Sequence, residues 1–510
     1  MRSGPRSRHP MRAAALPALP ALFSLFAAAA LPATAASLPE GAAAIARAVC
    51  EGRTSAEAQV RAALQRARAA APRNAFITID EAGAIAAARR IDAGGPAARC
   101  APLAGVPIVA KDNIEVAGMP TTGGTPALKD YRPAADAPVV ARLRAAGAIV
   151  VGKTHMHELA FGITGWNPAY QSGPEPGVRN AWDRSRSAGG SSSGTGVAVG
   201  GGVVAAGLGT DTGGSVRIPC AFNGCASLRP TVGRYPGDGI VPISHTRDTA
   251  GPMGASMAEV ELLDRVIAGA EPLAAAAPSS IRLGRVAALV ADLDADTRAV
   301  FDAALAKLAA AGVTIVDVEM PDLMALNGQI GFPVALYEAY DDMVAYLRRT
   351  GTGLTVEQLA ERAASPDVKG TYQGLVIPRK LPGPNHTVVD ARPAYEAAMR
   401  DARPSLQALY RATFVRHGID AIVFPTVPTV AMPAGPESSS VANFVRTIRN
   451  TDPGSNAGVP GLTLPAGLGA STGLPVGLEV DGPEGSDRRL VSIGMAIEAV
   501  LGRLPAPPGR

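Results

Sequence analysis

A single large α/β domain is what the sequence predicts, and three observations predict it. Short apolar runs alternate with helical segments, no internal repeat or long linker divides the chain, and the composition supports a large core. The chain has 510 residues, 47% of them hydrophobic and 18% charged, which is far too apolar for a disordered polypeptide. Its 57 Gly and 44 Pro lack the three-residue period of a collagen-like chain, so they announce loops.

The elements follow in order. From about residue 41 to 71 the Ala, Arg and Glu pattern is helical, and Ser55 suits the N-cap of a segment through Ala71. LAGVPIVA, Leu103 to Ala110, reads as a buried strand that delivers Lys111, Asp112 and Asn113 at its tip. Residues 136 to 147 read as a helix and Ala148 to Val151 as the next buried strand. Gly, Ser, Ala and Val dominate from Gly189 to Gly214, and such small residues let backbones approach one another or a ligand closely. Residues 293 to 318 and 386 to 417 read as helical, with an Asp/Pro/Gly-rich connection between them. Ile419 to Val423 and Leu462 to Pro465 read as later strands.

Charge narrows the function. Lys and Arg number 48 against 44 Asp and Glu, a formal +4, but Arg2, Arg6, Arg8 and Arg12 precede residue 37, where there is no acid. The remainder is balanced, without the basic stripe of a nucleic-acid binder, so no nucleic-acid partner is expected and a compact small-molecule substrate fits better. The first 36 residues join Arg residues to an Ala/Leu/Phe run from Ala13 to Leu31 and to small residues at Ala33, Ala35 and Ala36. This is the pattern of a secretory signal peptide over 1–36, leaving 37–510 as the mature domain, periplasmic or secreted and without stable membrane association. Pro17, Pro20 and Pro32 weaken the rival interpretation as a membrane anchor, and Met11 begins a second complete signal sequence. In an oxidising compartment Cys50 and Cys100, both in polar or turn-like stretches, could form a disulfide. Cys220 and Cys225 lie in apolar surroundings and read as buried free thiols.

Three segments carry chemistry: Lys111 in GVPIVAKDN, Ser191, Ser192 and Ser193 in AGGSSSGTG, and Ser215 in GTDTGGSVRIP. Singly each has a plain explanation, a flexible loop, a tight turn or a solvated lysine. Yet Lys111 ends a strongly apolar run, where an ammonium is costly unless hydrogen-bonded or neutralised. A serine hydroxyl is a weak nucleophile that needs an adjacent base, and a lysine serves only as the neutral amine. His155, His157 and Glu158 in KTHMHEL lack the zincin spacing and a later His-rich partner, so no metal is expected. Cys220 as a thiol nucleophile lacks an accompanying His or Glu motif.

Taken together, these segments resemble the amidase signature family. The resemblance runs from about residue 40 to 500 and includes the strand-borne Lys, the GGSS and GTDTGGSVR elements, Pro219, Phe222, and Leu228 to Thr231. It implies a central mixed β-sheet covered by helices on both faces. It also implies a triad in which Ser215 is the nucleophile, Ser191 the bridging serine at a cis peptide bond, and Lys111 the base, with Ser192 hydrogen-bonded in the same network. Backbone N–H groups of Thr212, Gly213, Gly214 and Ser215 would receive the oxyanion, while Asp211 and Arg217 hold the loop in shape. No cofactor is implied. Ser193 and Ser227 stand where the family usually has Gly, both small enough for the loop to survive.

The implied reaction is cleavage of a carboxamide C–N bond. The carboxy-terminal stretch from Ser455 and the SPDVKG segment near 365 resemble the branch containing indoleacetamide and mandelamide hydrolases, which points to a small or aryl-substituted primary amide. Substrate walls are expected within 265–400, with Phe161 and Trp166 either lining a pocket or in the core. A secreted peptide amidase, a glutamyl-tRNA amidotransferase A-like subunit and a catalytically silent binding protein are the alternatives. The oligomeric state is left open.

Overall fold

Thirteen short strands account for the sheet structure among the described residues: β1 Phe76–Ile79, β2 Pro107–Lys111, β3 Ile149–Thr154, β4 Ala206–Asp211, β5 Ala226–Arg229, β6 Thr249–Gly254, β7 Arg282–Val286, β8 Thr314–Val318, β9 Lys380–Pro382, β10 Val388–Asp390, β11 Ala421–Pro425, β12 Gly461–Leu468 and β13 Pro475–Asp481. The computed structural model describes Met1, Gly4, residues 41–383 and residues 387–508. Two units divide the chain, Met1–Ser37 and Leu38–Arg510. Apart from Met1 and Gly4, the expected signal peptide over 1–36 lies outside the described residues.

Eleven strands form one mixed sheet in the order β1-β3-β2-β4-β6-β5-β12-β13-β11-β7-β8, and β9 pairs with β10 apart from it. Parallel pairs β2/β3, β2/β4, β7/β11 and β7/β8 flank an antiparallel centre that contains β6, β5, β12 and β13. A parallel strand needs a crossover, which is why helices intervene there and cover both faces. The strand pleat sorts the side chains between the two cores. Ile108 and Ala110 enter one apolar cluster with Ala42, Ile45 and Leu263, whereas Val109 enters the other with Val60, Leu64 and Val197. The far half repeats the pattern: Ala421 and Val423 pack beneath the helices Ala295–Ala310 and Asp487–Leu501, and Ile422 and Phe424 beneath Leu323–Thr350 and Arg403–His417. The central mixed sheet with helices on both faces is therefore the observed fold.

Local signals held in the first third. Ser55 Oγ accepts the Ala58 N–H at 3.0 Å and caps the helix Ala56–Ala69, and the segment 136–147 contains the helix Pro138–Ala145. Later segments need correction. The helix expected over 293–318 stops at Ala310, because Gly312 has φ 101° and the β-branched run Thr314 to Val316 enters β8 beside β7. The connection expected after it contains the 28-residue helix Leu323–Thr350, which persists through Pro333 because it buries Ile330, Val334, Leu336 and Met343. The helix expected from 386 begins instead at Ala391, after β10, and reaches His417 through a π-helical turn at Ala398–Ala402.

Both cysteine pairs are disulfides. Cys50–Cys100 joins the first helix to the loop before β2, with Cα atoms 4.5 Å apart. Cys220 and Cys225 are also bonded, which corrects their expectation as free thiols. The helix Arg217–Asn223 ends at Gly224, whose left-handed φ of 74° turns the chain back so that Cys225 meets Cys220.

Candidate active site

Three backbone features bring the predicted residues together. Lys111 closes β2, on the pleat face of Val109 and of the helix Ser193–Gly200. That helix is preceded by the Gly190–Ser191 peptide, which is cis, and its close approach to β4 depends on glycine: a Cβ at Gly209 would stand 2.6 Å from Ser192 Oγ. Ser215 follows β4 in a tight loop, and the Ser192 N–H donates to the Ser215 carbonyl at 3.1 Å, tying the two serine loops to each other.

Lys111 Nζ lies 2.8 Å from Ser191 Oγ and 2.7 Å from Thr210 Oγ1, fully buried. Among the described residues no carboxylate lies within ion-pairing reach of it. Burial pushes the amine down to about 7, against the more distant pull of Asp211 and Asp248. Asn113 Nδ2 also reaches Thr210 Oγ1, at 3.0 Å, so Thr210 joins the base to the tip of β2. Ser192 Oγ donates to the Thr210 carbonyl at 3.1 Å. Ser193, at the position of the family's glycine, places its hydroxyl 3.5 Å from the Ser191 carbonyl, and the loop is intact.

The nucleophile loop is built around Asp211. Its carboxylate accepts from the Gly214 N–H at 2.7 Å, the Val216 N–H at 3.1 Å, Arg217 Nε and Nη2 at 3.1 Å each, and Arg229 Nη1 at 3.0 Å. Burial alone would raise the Asp211 carboxyl, but the two guanidiniums outweigh it and hold it well below its usual range. Asp211 and Arg217 thus sit at the centre of the hydrogen bonds that run through this loop. Gly214 requires correction as an oxyanion donor, because its N–H is committed to Asp211 across the turn. Gly214 has φ 135°, and a Cβ there would collide with the Thr451 hydroxyl, which itself donates to the Gly213 carbonyl at 2.6 Å.

Several supporting residues escaped the sequence. Asp248 accepts from Thr212 Oγ1 at 2.6 Å and from the Ile243 and Ser244 N–H groups. Burial raises its carboxyl. Arg217 Nη1 reaches Glu479 Oε1 at 2.5 Å and its Nη2 reaches Ser455 Oγ at 2.7 Å, so β13 and the helix Asp452–Ala457 brace the loop from behind. Glu479 and its neighbour Asp481 are both pushed up, chiefly by burial. Thr210 stands two residues after Leu208 in β4, and its alternation was a usable signal. Asp248, Thr451 and Glu479 carry none, because they arrive from distant sequence.

The histidines take structural partners. His155 Nε2 meets the Ala169 carbonyl at 2.8 Å, His157 Nε2 meets Asp367 Oδ2 at 3.0 Å, and Glu158 accepts from the Ala364 and Ser365 N–H groups. Among the described residues, His245, Glu338 and Asp342 bring potential ligand atoms within 4.8 Å of one another. His245 Nδ1 is already 3.0 Å from Asp342 Oδ1, and Ser244 Oγ donates to Glu338, so the group is closed on itself. Phe161 packs edge-on against Tyr372, ring centroids 5.0 Å apart, which places it in a wall of the surrounding apolar cluster. Trp166, half-buried, packs over Gly177.

Comparison with known proteins identifies the family. A family model described as Amidase matches residues 58–491. The chain is 49% identical over 438 residues to the mandelamide hydrolase of Pseudomonas putida, covering 85% of this chain and 86% of that protein. It is 40% identical over 446 residues to the indoleacetamide hydrolase of Agrobacterium vitis, covering 86% and 92%. The solved structure of native peptide amidase from Stenotrophomonas maltophilia superposes with a TM-score of 0.76 at 28% identity, covering 92% of this chain and 98% of that one.

Proposed function

The chain belongs to the Amidase family and is an amide hydrolase, and from that premise we propose that it cleaves small, aryl-substituted primary amides through an acyl-enzyme on Ser215. One observation carries the mechanism: a buried amine, pushed down to about 7, stands 2.8 Å from the hydroxyl of the serine at the cis peptide bond. Near neutral pH that amine offers a lone pair and accepts the Ser191 proton, while Ser191 accepts the proton of Ser215. The Ser215 oxygen forms a bond to the amide carbon, and the N–H groups of Thr212, Gly213 and Ser215 receive the carbonyl oxygen as it becomes negative. The proton returns through Ser191 to the nitrogen, the C–N bond breaks and ammonia leaves. Water, activated by the same relay, then releases the carboxylic acid and restores Ser215.

A fluorophosphonate tests this assignment. Peptide mapping is expected to place the adduct on Ser215, and an adduct elsewhere would remove it from the mechanism. The 49% identity to a protein named for mandelamide supports the aryl class. Assays of arylacetamides, aliphatic amides and peptide amides decide it, and a preference for peptide amides would replace the aryl class with a peptide amidase. Export belongs to the same proposal. Two disulfides, Cys50–Cys100 and Cys220–Cys225, suit an oxidising compartment, and no helix among the described residues is long and apolar enough to cross a membrane. Amino-terminal sequencing of the periplasmic protein is expected to begin near residue 37. Retention of residues 1–36 on a cytosolic product would end the export proposal.

A further inference from the structure

The helix Val441–Ile448 carries an apolar stripe that the fold covers only in part: Phe444 and Ile448 pack partly against the cluster around Ile218 and Phe222, and Val441 and Val445 stay exposed. Val441, Phe444, Val445 and Ile448 follow the spacing of one helical face. A surface helix ordinarily turns such a face into the core, yet Val441 is 74% and Val445 49% exposed. The stripe is continuous with the candidate site. At its carboxy-terminal end, a Cβ placed on Gly213 of the nucleophile loop would lie 2.8 Å from Ile448 Cδ1. One turn earlier, Phe444 meets Phe332 of the helix Leu323–Thr350, ring centroids 5.7 Å apart at 30°. Phe332 is itself 42% exposed. Ser440 caps the start of the short helix, and Arg449 just beyond its end donates to the Ala288 and Ala291 carbonyls at 2.9 and 2.8 Å, so the stripe is held in place from both ends.

We propose that Phe332 and Phe444 form the specificity wall of the site, holding the aromatic acyl body of the amide while its carbonyl reaches the loop at Gly213. The inference rests on the amide-hydrolase function proposed above and names what selects its substrate. An aryl ring laid on these two rings covers surface that water otherwise meets, and a single added face of contact of this kind is worth about a tenfold change in binding. A short aliphatic amide uses the same nucleophile and oxyanion donors but does not reach the wall.

The experiment compares phenylacetamide with propionamide in wild type, Phe444→Ala, Phe332→Ala and Phe444→Leu. Phe444→Ala and Phe332→Ala are each expected to raise KM for phenylacetamide about tenfold with kcat within about twofold, and to leave propionamide within about twofold on both constants. Phe444→Leu, which restores apolar volume, is expected to recover part of the loss. Both positions are partly exposed, so unchanged thermal unfolding serves as the check that the fold is intact. An unchanged ratio between the two amides, or equal losses on both, would overturn the wall and leave the hydrolase function standing. A wild-type protein inert towards both amides would overturn the aryl-amide substrate class and the wall with it.

Discussion

Two lysines, Lys111 on β2 and Lys153 on the adjacent parallel strand β3, are both fully buried, and their surroundings give them opposite uses. Lys153 Nζ lies 3.3 Å from Asp112 Oδ1, 3.0 Å from the Pro120 carbonyl and 2.9 Å from Thr121 Oγ1. Lys111 Nζ meets only hydroxyls at comparable range, those of Ser191 and Thr210. Burial lowers both amines, Lys111 to about 7, and carboxylates oppose it at each: Asp112 in direct contact with Lys153, Asp211 and Asp248 at longer range from Lys111. The lesson lies in the sequence Lys111-Asp112. Adjacent strand residues point to opposite faces, so the acid next in sequence to Lys111 neutralises Lys153 and is unavailable to Lys111. Burial supplies the shift, and the partner decides whether the group becomes a base or a scaffold cation.

The same substitution at the two sites should separate these uses. Lys111→Met is expected to lower turnover by on the order of 10⁴-fold, since the relay loses its proton acceptor. Its thermal midpoint should be unchanged or higher. The folded amine titrates near 7 and the unfolded one near 10.5, so the cost of burying Lys111 is full below about pH 7 and fades as pH rises towards 10.5. Any gain in stability from replacing the amine with a thioether should therefore be largest on the acid side. Lys153→Met should do the reverse: Asp112 remains buried without its cation, at a cost of about 3–5 kcal/mol, with turnover per folded molecule little changed. Adding Asp112→Asn should recover part of that loss in urea unfolding. Inactivation by both substitutions without loss of fold would erase the distinction.

A pH profile sharpens the contrast further. For wild type, kcat/KM should rise with pH through a midpoint near 7, as Lys111 loses its proton, and then level off. Asp248 raises the Lys111 amine electrostatically, so Asp248→Asn should move that midpoint to lower pH by a fraction of a unit. Because Asp248 also receives the Thr212 hydroxyl, kcat should fall at the same time. The midpoint reports the charge and kcat the loop. A flat profile from pH 5 to 9 would count against Lys111 as the base.

How much of this was legible follows the range over which each signal acts. The Ser55 cap and the strand that leads to Lys111 are written in contiguous residues, although β2 begins at Pro107, after a turn, and not at Leu103 as the apolar run implies, and it takes in Lys111 itself. Lys111, Ser191 and Ser215 are far apart in sequence but each sits in a motif with its own local grammar. The commitment of the Gly214 N–H to Asp211 was not visible, because it depends on which way one carboxylate turns inside a four-residue loop. The helix Leu323–Thr350 was missed because Gly328, Gly331 and Pro333 are weak helix formers, and packing against residues from other segments overrides them. The same holds for Phe444 and Thr451, whose importance comes from what they meet. The apolar context of Cys220 and Cys225 suits thiols, and what joins them instead is the chain reversal at Gly224, which brings the two sulfurs together.

Ser227 gives the smallest effect and a comparison within the scaffold itself. It lies on β5, opposite Thr463 and Met253, fully buried, and its hydroxyl has no protein partner among the described residues. The lysines show buried polar groups that have found partners; Ser227 is one that has not. Leaving a hydroxyl unpaired in an apolar setting costs roughly 1–3 kcal/mol, so Ser227→Ala should raise stability by about 1 kcal/mol once the small loss of packing is set against it. Ser227→Gly should gain less, because it adds backbone freedom to the unfolded chain and removes the Cβ from the strand. In urea unfolding the Ala variant should move the midpoint upward with an unchanged slope, and kcat/KM should stay within about twofold. A lower midpoint would mean that the hydroxyl is hydrogen-bonded in solution, which would place Ser227 with the lysines as a polar group the core was built to accommodate.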